Sequence, residues 1–230
     1  MRLIFLADLH GNLPATLAME KTIARLSPDD VWFLGDAVGK GPQSRETCDW
    51  VRSHCHHCIG GNWDYGIGNK EYPADVYYWN QLGEERMQWL SQLPRELELT
   101  LGSFRFRLFH GRPVTPLLKV NSPSAELEDT FHSENGSFHG VIFADSHRPF
   151  IRTLSSGYII NTGSVGNSMG VPRAHAFMLD WAGHEADPFL FTILSIPYDN
   201  ELAAELARRD PDLPFQGAYI QEILTGVYSR

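Results

Sequence analysis

The chain has 230 residues, a formal net charge of −9 and three cysteines. That length suits one domain, expected over residues 1–230, with a full hydrophobic core. The acidic balance argues against extended contact with a nucleic-acid backbone, which is neutralised by Lys and Arg, and the odd cysteine count argues against a disulfide framework. No apolar stretch is long enough to span a bilayer, and the apolar run after Met1 is too short for a signal peptide, so the expectation is a cytoplasmic protein without a membrane partner.

In chain order, Leu3 to Leu6 reads as a buried first strand, followed by helix spacing at Met19, Ile23 and Leu26. Val31 to Leu34 is a second strand, and a helix over 43–53 follows the Gly41-Pro42 start signal. Cys58 to Gly60 is a short strand. The surrounding His54-Cys55-His56-His57-Cys58 has Cys-x-x-Cys spacing, but no second ligand pair follows at finger-like distance, so it reads as structural. A helix is expected over 82–93, stopped by Pro94. Leu97 to Leu101 and Phe104 to Phe109 read as a hairpin around Gly102-Ser103, Val141 to Ala144 as a further strand. Arg152 to Leu154 with Tyr158 to Asn161, and Ala174 to Asp180 with Phe189 to Ile196, complete the strands; helices near 201–208 and 216–224 close the chain. Early strands alternating with helices imply an α/β sheet whose ligands bind beyond the strand carboxyl ends.

Residues able to bind metal fall at that edge. Asp8-Leu9-His10, Gly35-Asp36, Gly61-Asn62, His110-Gly111 and Asp145-Ser146-His147 each close a strand-like run. One such element is weak evidence, because lone Asp residues often cap helices; five in this order are specific. The arrangement resembles the signature of the calcineurin-like metallophosphoesterases: Asp-x-His, Gly-Asp, Gly-Asn-His-Asp/Glu, His, Gly-His-x-His. The stretches Ala7 to Asn12, Gly35 to Pro42, Asn161 to Gly166 and the closing Leu224-Thr225-Gly226 are similar to the small bacterial and archaeal phosphodiesterase branch.

The resemblance implies an α/β four-layer sandwich of two mixed β-sheets flanked by helices, and two divalent ions, Mn²⁺ foremost, with iron, Mg²⁺ or Zn²⁺ as alternatives. It also implies Asp8, His10, Asp36 and His147 as ligands of the first ion, and Asp36, Asn62, His110 and the residue at 145 as ligands of the second. Asp36 is then the bridge, and Asp36, Asn62 and His110 serve catalysis through a metal-bound hydroxide and phosphate positioning. The chemistry explains these residue types, since two cations about 3.5–4 Å apart clamp a phosphoryl group and acidify a water.

Two positions depart from the signature. Trp63 stands where many relatives carry a histidine that serves the leaving group, although its partner Asp64 remains. General acid help of about 10²–10⁴-fold is then missing from that position, which favours aryl esters or a nucleotide phosphate leaving from an anhydride. Asp145 replaces the first histidine of Gly-His-x-His. As a ligand it makes the second site richer in oxygen, suiting Mn²⁺, Mg²⁺ or Fe²⁺; the competing reading gives Asp145 no metal and leaves that site weak or empty.

Lys40 and Arg112 adjoin ligand-bearing loops and are candidates to reach a bound phosphate, against a solvated surface role for either alone. The irregular stretch 111–121 is expected to cover substrate. Tyr65, Tyr72, Tyr77, Tyr78 and Trp79 either stack on a substrate ring or pack between layers. His175 reads as structural and Asn161 as a hydrogen-bonding support of His147. The expected function is hydrolysis of a phosphodiester or phosphoanhydride of a small, nucleotide-type substrate. The alternatives are a phosphomonoester or phosphoprotein phosphatase, and a metal-binding scaffold or nucleotide sensor.

Overall fold

The computed structural model describes residues 1–229. Its first sheet has the order β12-β11-β1-β2-β3, built from β1 (Arg2–Leu6), β2 (Asp30–Leu34), β3 (His57–Ile59), β11 (Ala174–Asp180) and β12 (Leu190–Ile196). Strands β1, β2 and β3 run parallel, while β11 is antiparallel to β1 and to β12. The second sheet has the order β4-β5-β8-β10-β9, from β4 (Glu96–Leu101), β5 (Phe104–Phe109), β8 (Gly140–Phe143), β9 (Phe150–Thr153) and β10 (Tyr158–Asn161). Parallel β5, β8 and β10 form its centre, with antiparallel β4 and β9 at the edges. Both sheets are therefore mixed.

Alternation along the strands makes the layers, because successive side chains leave a strand on opposite faces. Leu3 and Phe5 of β1 meet Phe106 and Leu108 of β5, Ile142 of β8 and Ile160 of β10 in a core between the sheets. Ile4 and Leu6 point the other way, into a core shared with α1 (Leu13–Leu26), α2 (Ser44–His54), α4 (Val76–Ser91), α6 (Asn200–Arg208) and α7 (Gln216–Thr225). Val141 and Phe143 face outward from the second sheet, where Leu127 of α5 (Ser124–Glu128) and Phe131 cover them. The result is helices, sheet, sheet and an outer layer of short helix and loop. Among the described residues no helix is long and apolar enough to cross a membrane.

Three regions differ from the sequence reading. The helix expected over 82–93 begins at Val76, and Gly83 interrupts it with φ 70° and ψ 166°; Tyr77, Tyr78 and Trp79 lie on its first half. A helix the sequence reading omits, α3 (Asn62–Gly68), starts at a candidate ligand. The segment between β5 and β8 holds α5 and a small hairpin, β6 (His132–Ser133) with β7 (Gly136–Ser137). Cys55 is buried and its carbonyl accepts the Cys58 thiol, a structural role for that pair.

Candidate metal centre

The carboxyl ends of β1, β2, β3, β5 and β8 bring Asp8, His10, Asp36, Asn62, His110, Asp145 and His147 to one rim. Six of the nine non-glycine residues with positive φ among those described are here: Asp8, His10, Asp36, Lys40, Asp145 and His147. Asp and His tolerate this left-handed region better than most residues. Such backbone costs on the order of 1 kcal/mol per residue and persists where the surroundings enforce it. The enforcement is visible: Asp8, His10 and Gly11 each donate a backbone N–H to a carbonyl of the loop 35–37.

All three histidines present the same nitrogen to the centre. Nδ1 of His10 lies 3.1 Å from the Val38 carbonyl, Nδ1 of His110 lies 2.7 Å from the Leu34 carbonyl, and Nδ1 of His147 lies 2.6 Å from the Asn167 carbonyl. A carbonyl only accepts, so each Nδ1 carries the proton and each Nε2 offers a lone pair, the state in which imidazole binds a metal. Nε2 of His10 and Nε2 of His147 are 3.3 Å apart, and Asp8 Oδ1 is 3.5 Å and 3.4 Å from them. Three ligand atoms this close together are placed to share one cation. Nitrogen and oxygen ligands about 2.0–2.2 Å from one cation sit roughly 3–3.6 Å apart, which these separations match.

A second group shares Asp8. Nε2 of His110 is 3.8 Å from Asp8 Oδ1 and 3.3 Å from Asp36 Oδ2, and Asp36 Oδ2 is 3.6 Å from His10 Nε2. Asp8, His10 and His147, and Asp8, Asp36 and His110, are thus two groups each able to hold a metal ion. Both oxygens of Asp8, Oδ1 of Asn62 and Nε2 of His110 are buried without a hydrogen bond, a state that costs about 1–3 kcal/mol per group, more for charged ones. This donor set suits divalent cations.

Electrostatics agree. Burial pushes the Asp8 carboxyl well above the ordinary range, with Asp36 and Asp145 adding to it. Burial alone would depress His110, but the carboxylates of Asp36 and Asp8 outweigh it and raise its pKa well above that of free imidazole. His147 moves the other way, lowered by burial and then by the Lys40 charge, and so stays neutral.

Asp145 belongs to neither group. Its carboxylate instead accepts from the Arg112 guanidinium, Nη2 to Oδ1 at 2.6 Å and Nε to Oδ2 at 2.9 Å. Lys40 is buried rather than solvated, with 7% of its surface exposed, and Nζ donates to Asn167 Oδ1 at 2.9 Å. His147 is held by Asn167 rather than Asn161; the Asn161 amide donates instead to the Ala144 carbonyl, next to Asp145. Asn167 also donates to the buried Glu222 of α7 at 3.1 Å. Nothing in the sequence marks Asn167 or Glu222, whose pairing spans 55 residues. His175 lies 2.6 Å from the Ser168 hydroxyl, away from both groups.

A cavity of about 930 Å³ opens over the centre, with Asn62, Trp63, His147, Arg112 and Lys40 on its walls. Tyr72, Leu117 and Val120 add apolar wall, the last two from the stretch 111–121. Tyr228 adds another, a residue without any local sequence signal. Of the tyrosines after Asn62, Tyr72 faces this cavity; Tyr65 donates to the Leu93 carbonyl, Tyr77 to Asp210, and Tyr78 is buried.

Comparison with known proteins agrees with this geometry. The profile of the calcineurin-like phosphoesterase superfamily domain matches residues 1–183. The chain is 27% identical over 225 residues to the protein named uncharacterized protein MJ0912 of Methanocaldococcus jannaschii, covering 87% of this chain and 89% of that one. A metallophosphoesterase from Sphaerobacter thermophilus superposes with a TM-score of 0.80 at 24% identity over 99% of both chains. Hypothetical protein PH1004 from Pyrococcus horikoshii OT3 gives 0.78 at 21%, again over 99% of both. At those identities the two structures establish the fold.

Proposed function

The chain belongs to the calcineurin-like phosphoesterase superfamily, a family of metal-dependent hydrolases of phosphoric esters, and from that membership we propose that it cleaves a phosphodiester or phosphoanhydride in a small, nucleotide-sized substrate. The observation that carries this reading is the buried convergence of Nε2 lone pairs on Asp8 and Asp36. Asp8, His10 and His147 would hold one cation; Asp8, Asp36, His110 and the Asn62 amide oxygen would hold the other, so that Asp8, rather than Asp36 as the sequence reading has it, is the carboxylate common to both groups. Divalent cations bound there supply an acidified water and neutralise charge on the phosphoryl oxygens; Mn²⁺ suits the mixture of imidazole and oxygen donors.

The chain's own residues do the rest. Asn167, through its carbonyl, fixes the ring orientation and tautomer of His147, and through Oδ1 it holds the Lys40 ammonium beside the cavity. Lys40 adds positive charge where a phosphate would lie. The cavity is far larger than a phosphate and falls within the range of about 300–1,000 Å³ for small-molecule sites. Its Trp63 and Tyr72 walls accommodate a flat apolar leaving group or base. Trp63 provides no proton, so good leaving groups are favoured, an aryl oxide or a nucleotide phosphate.

Turnover of an aryl phosphodiester, an aryl phosphomonoester and a dinucleoside polyphosphate with Mn²⁺ tests the reading, with Asp36→Asn as control. Faster turnover of the diester or the anhydride by the unaltered protein supports it. Preference for the monoester points to a phosphatase. Equal rates for the two proteins on all three remove the enzymatic reading.

A further inference from the structure

We propose that Asp145 serves Arg112 rather than a cation: its carboxylate fixes the guanidinium at the rim of the cavity, where Arg112 grips the phosphoryl group of the substrate. This role presupposes the phosphoester substrate proposed above, but its metal-binding arm does not.

The contacts on this carboxylate are dense. Arg112 reaches both oxygens, Nη2 to Oδ1 at 2.6 Å, Nε to Oδ1 at 3.1 Å and Nε to Oδ2 at 2.9 Å, and its backbone N–H donates to Oδ2 at 3.0 Å. Two parallel N–H donors on one carboxylate form the fork arrangement that fixes an arginine most firmly. The Asp145 side chain is 2% exposed, whereas that of Arg112 is 48% exposed. The carboxylate is thus the buried anchor and the guanidinium the part that reaches the cavity. Gly111 allows the close approach, since a Cβ there would stand 2.6 Å from the Asp145 Cβ, and its φ of 144° is one that side-chain-bearing residues avoid.

The same contacts separate Asp145 from the cation groups. It belongs to neither of the two clusters able to hold a metal, and both of its oxygens accept from the Arg112 guanidinium instead. Paired with Arg112 it contributes no net charge, so the cations face the two carboxylates of Asp8 and Asp36. No described residue accepts from Nη1 of Arg112, and these N–H groups, in a rigid planar fork, match the oxygens of a phosphoryl group.

Calorimetric titration of the full chain with Mn²⁺, then with inorganic phosphate on the Mn²⁺-loaded protein, decides the matter with Asp145→Asn and Arg112→Met. Both variants are expected to keep the number of bound cations, with affinity within about threefold, and to lose about tenfold or more in phosphate affinity. In Asp145→Asn/Arg112→Met the loss should be no greater than in Arg112→Met alone, because the two residues act as one unit. Loss of one cation in Asp145→Asn would show that Asp145 is a ligand and overturn the proposal. Unchanged phosphate affinity in Arg112→Met would overturn it equally, and that variant keeps the carboxylate if Asp145→Asn does not fold. Because neither titration measures hydrolysis, a chain that turns over no ester would defeat the proposed reaction while leaving this assignment to be decided.

Discussion

The Asp64 carboxylate accepts the backbone N–H of Asp36 at 2.7 Å, and through it the ends of β2 and β3 are tied together. The same carboxylate takes the N–H of Ala37 at 3.0 Å and of Gly61 at 3.0 Å, and Asp64 is fully buried. Asp64 therefore keeps a role where Trp63 replaces the histidine it would otherwise partner: it sets the backbone that carries Asp36 and Asn62.

Asp64→Asn replaces one acceptor oxygen with an amide donor facing N–H groups. The expected cost is about 2–4 kcal/mol, read as a lower midpoint in denaturant, together with weaker Mn²⁺ binding. A variant as stable as the parent would show that the three bonds are dispensable.

Gly35 has φ 100°, and a Cβ there would lie 2.7 Å from both His110 Nδ1 and the Gly61 nitrogen. Gly35→Ala should push His110 off the Leu34 carbonyl. Loss of about 1–3 kcal/mol from the backbone alone and at least a tenfold rise in the Mn²⁺ dissociation constant are expected, measured by thermal melting and calorimetry.

Much of this site was legible because cation chemistry restricts residue type and the α/β fold restricts place. Asp8, Asp36, Asn62, His110 and His147 each follow an apolar strand, and strand ends in such sheets gather at one rim. The hairpin of β4 and β5 was legible from its alternation and its Gly102-Ser103 turn. The rest depends on contacts that no local pattern encodes. Asp145 is spoken for by Arg112, 33 residues away, and Tyr228 reaches the cavity from beyond α7. Lys40 reads from the sequence either as a phosphate contact or as a solvated lysine, and its buried partner Asn167 has no local signal. α3 begins inside the Gly61-Asn62 motif, where glycines lower helix propensity and the Asp64 carboxylate bonded to the Gly61 N–H offsets them.

Trp63 lines the cavity with its ring nearly perpendicular to that of His10, the centroids 5.8 Å apart. Trp63→His places an imidazole where the leaving group is expected. Relative to the parent, turnover of an alkyl phosphodiester should rise at least tenfold against that of an aryl one. An unchanged ratio would mean that the leaving group departs elsewhere.

His175 is buried, and burial followed by the Arg173 charge lowers its pKa from 6.5 to about 4. In the unfolded chain it takes up a proton near pH 6.5, in the folded chain near 4, so its stabilising contribution is complete above pH 6.5 and fades as pH falls toward 4. Between pH 7.5 and 5 this amounts to about 2 kcal/mol. His175→Gln should lose correspondingly less stability over that interval, measured by urea unfolding at both values. Parallel losses would place the titration elsewhere.

The most direct test concerns Asp8, the carboxylate common to both groups. Calorimetric Mn²⁺ titration of the metal-free chain should give two cations per chain, and Asp8→Asn, kept nearly isosteric, should weaken both by a hundredfold or more. An unaltered chain that takes up no divalent cation, or an Asp8→Asn variant that binds like the parent, would contradict the account.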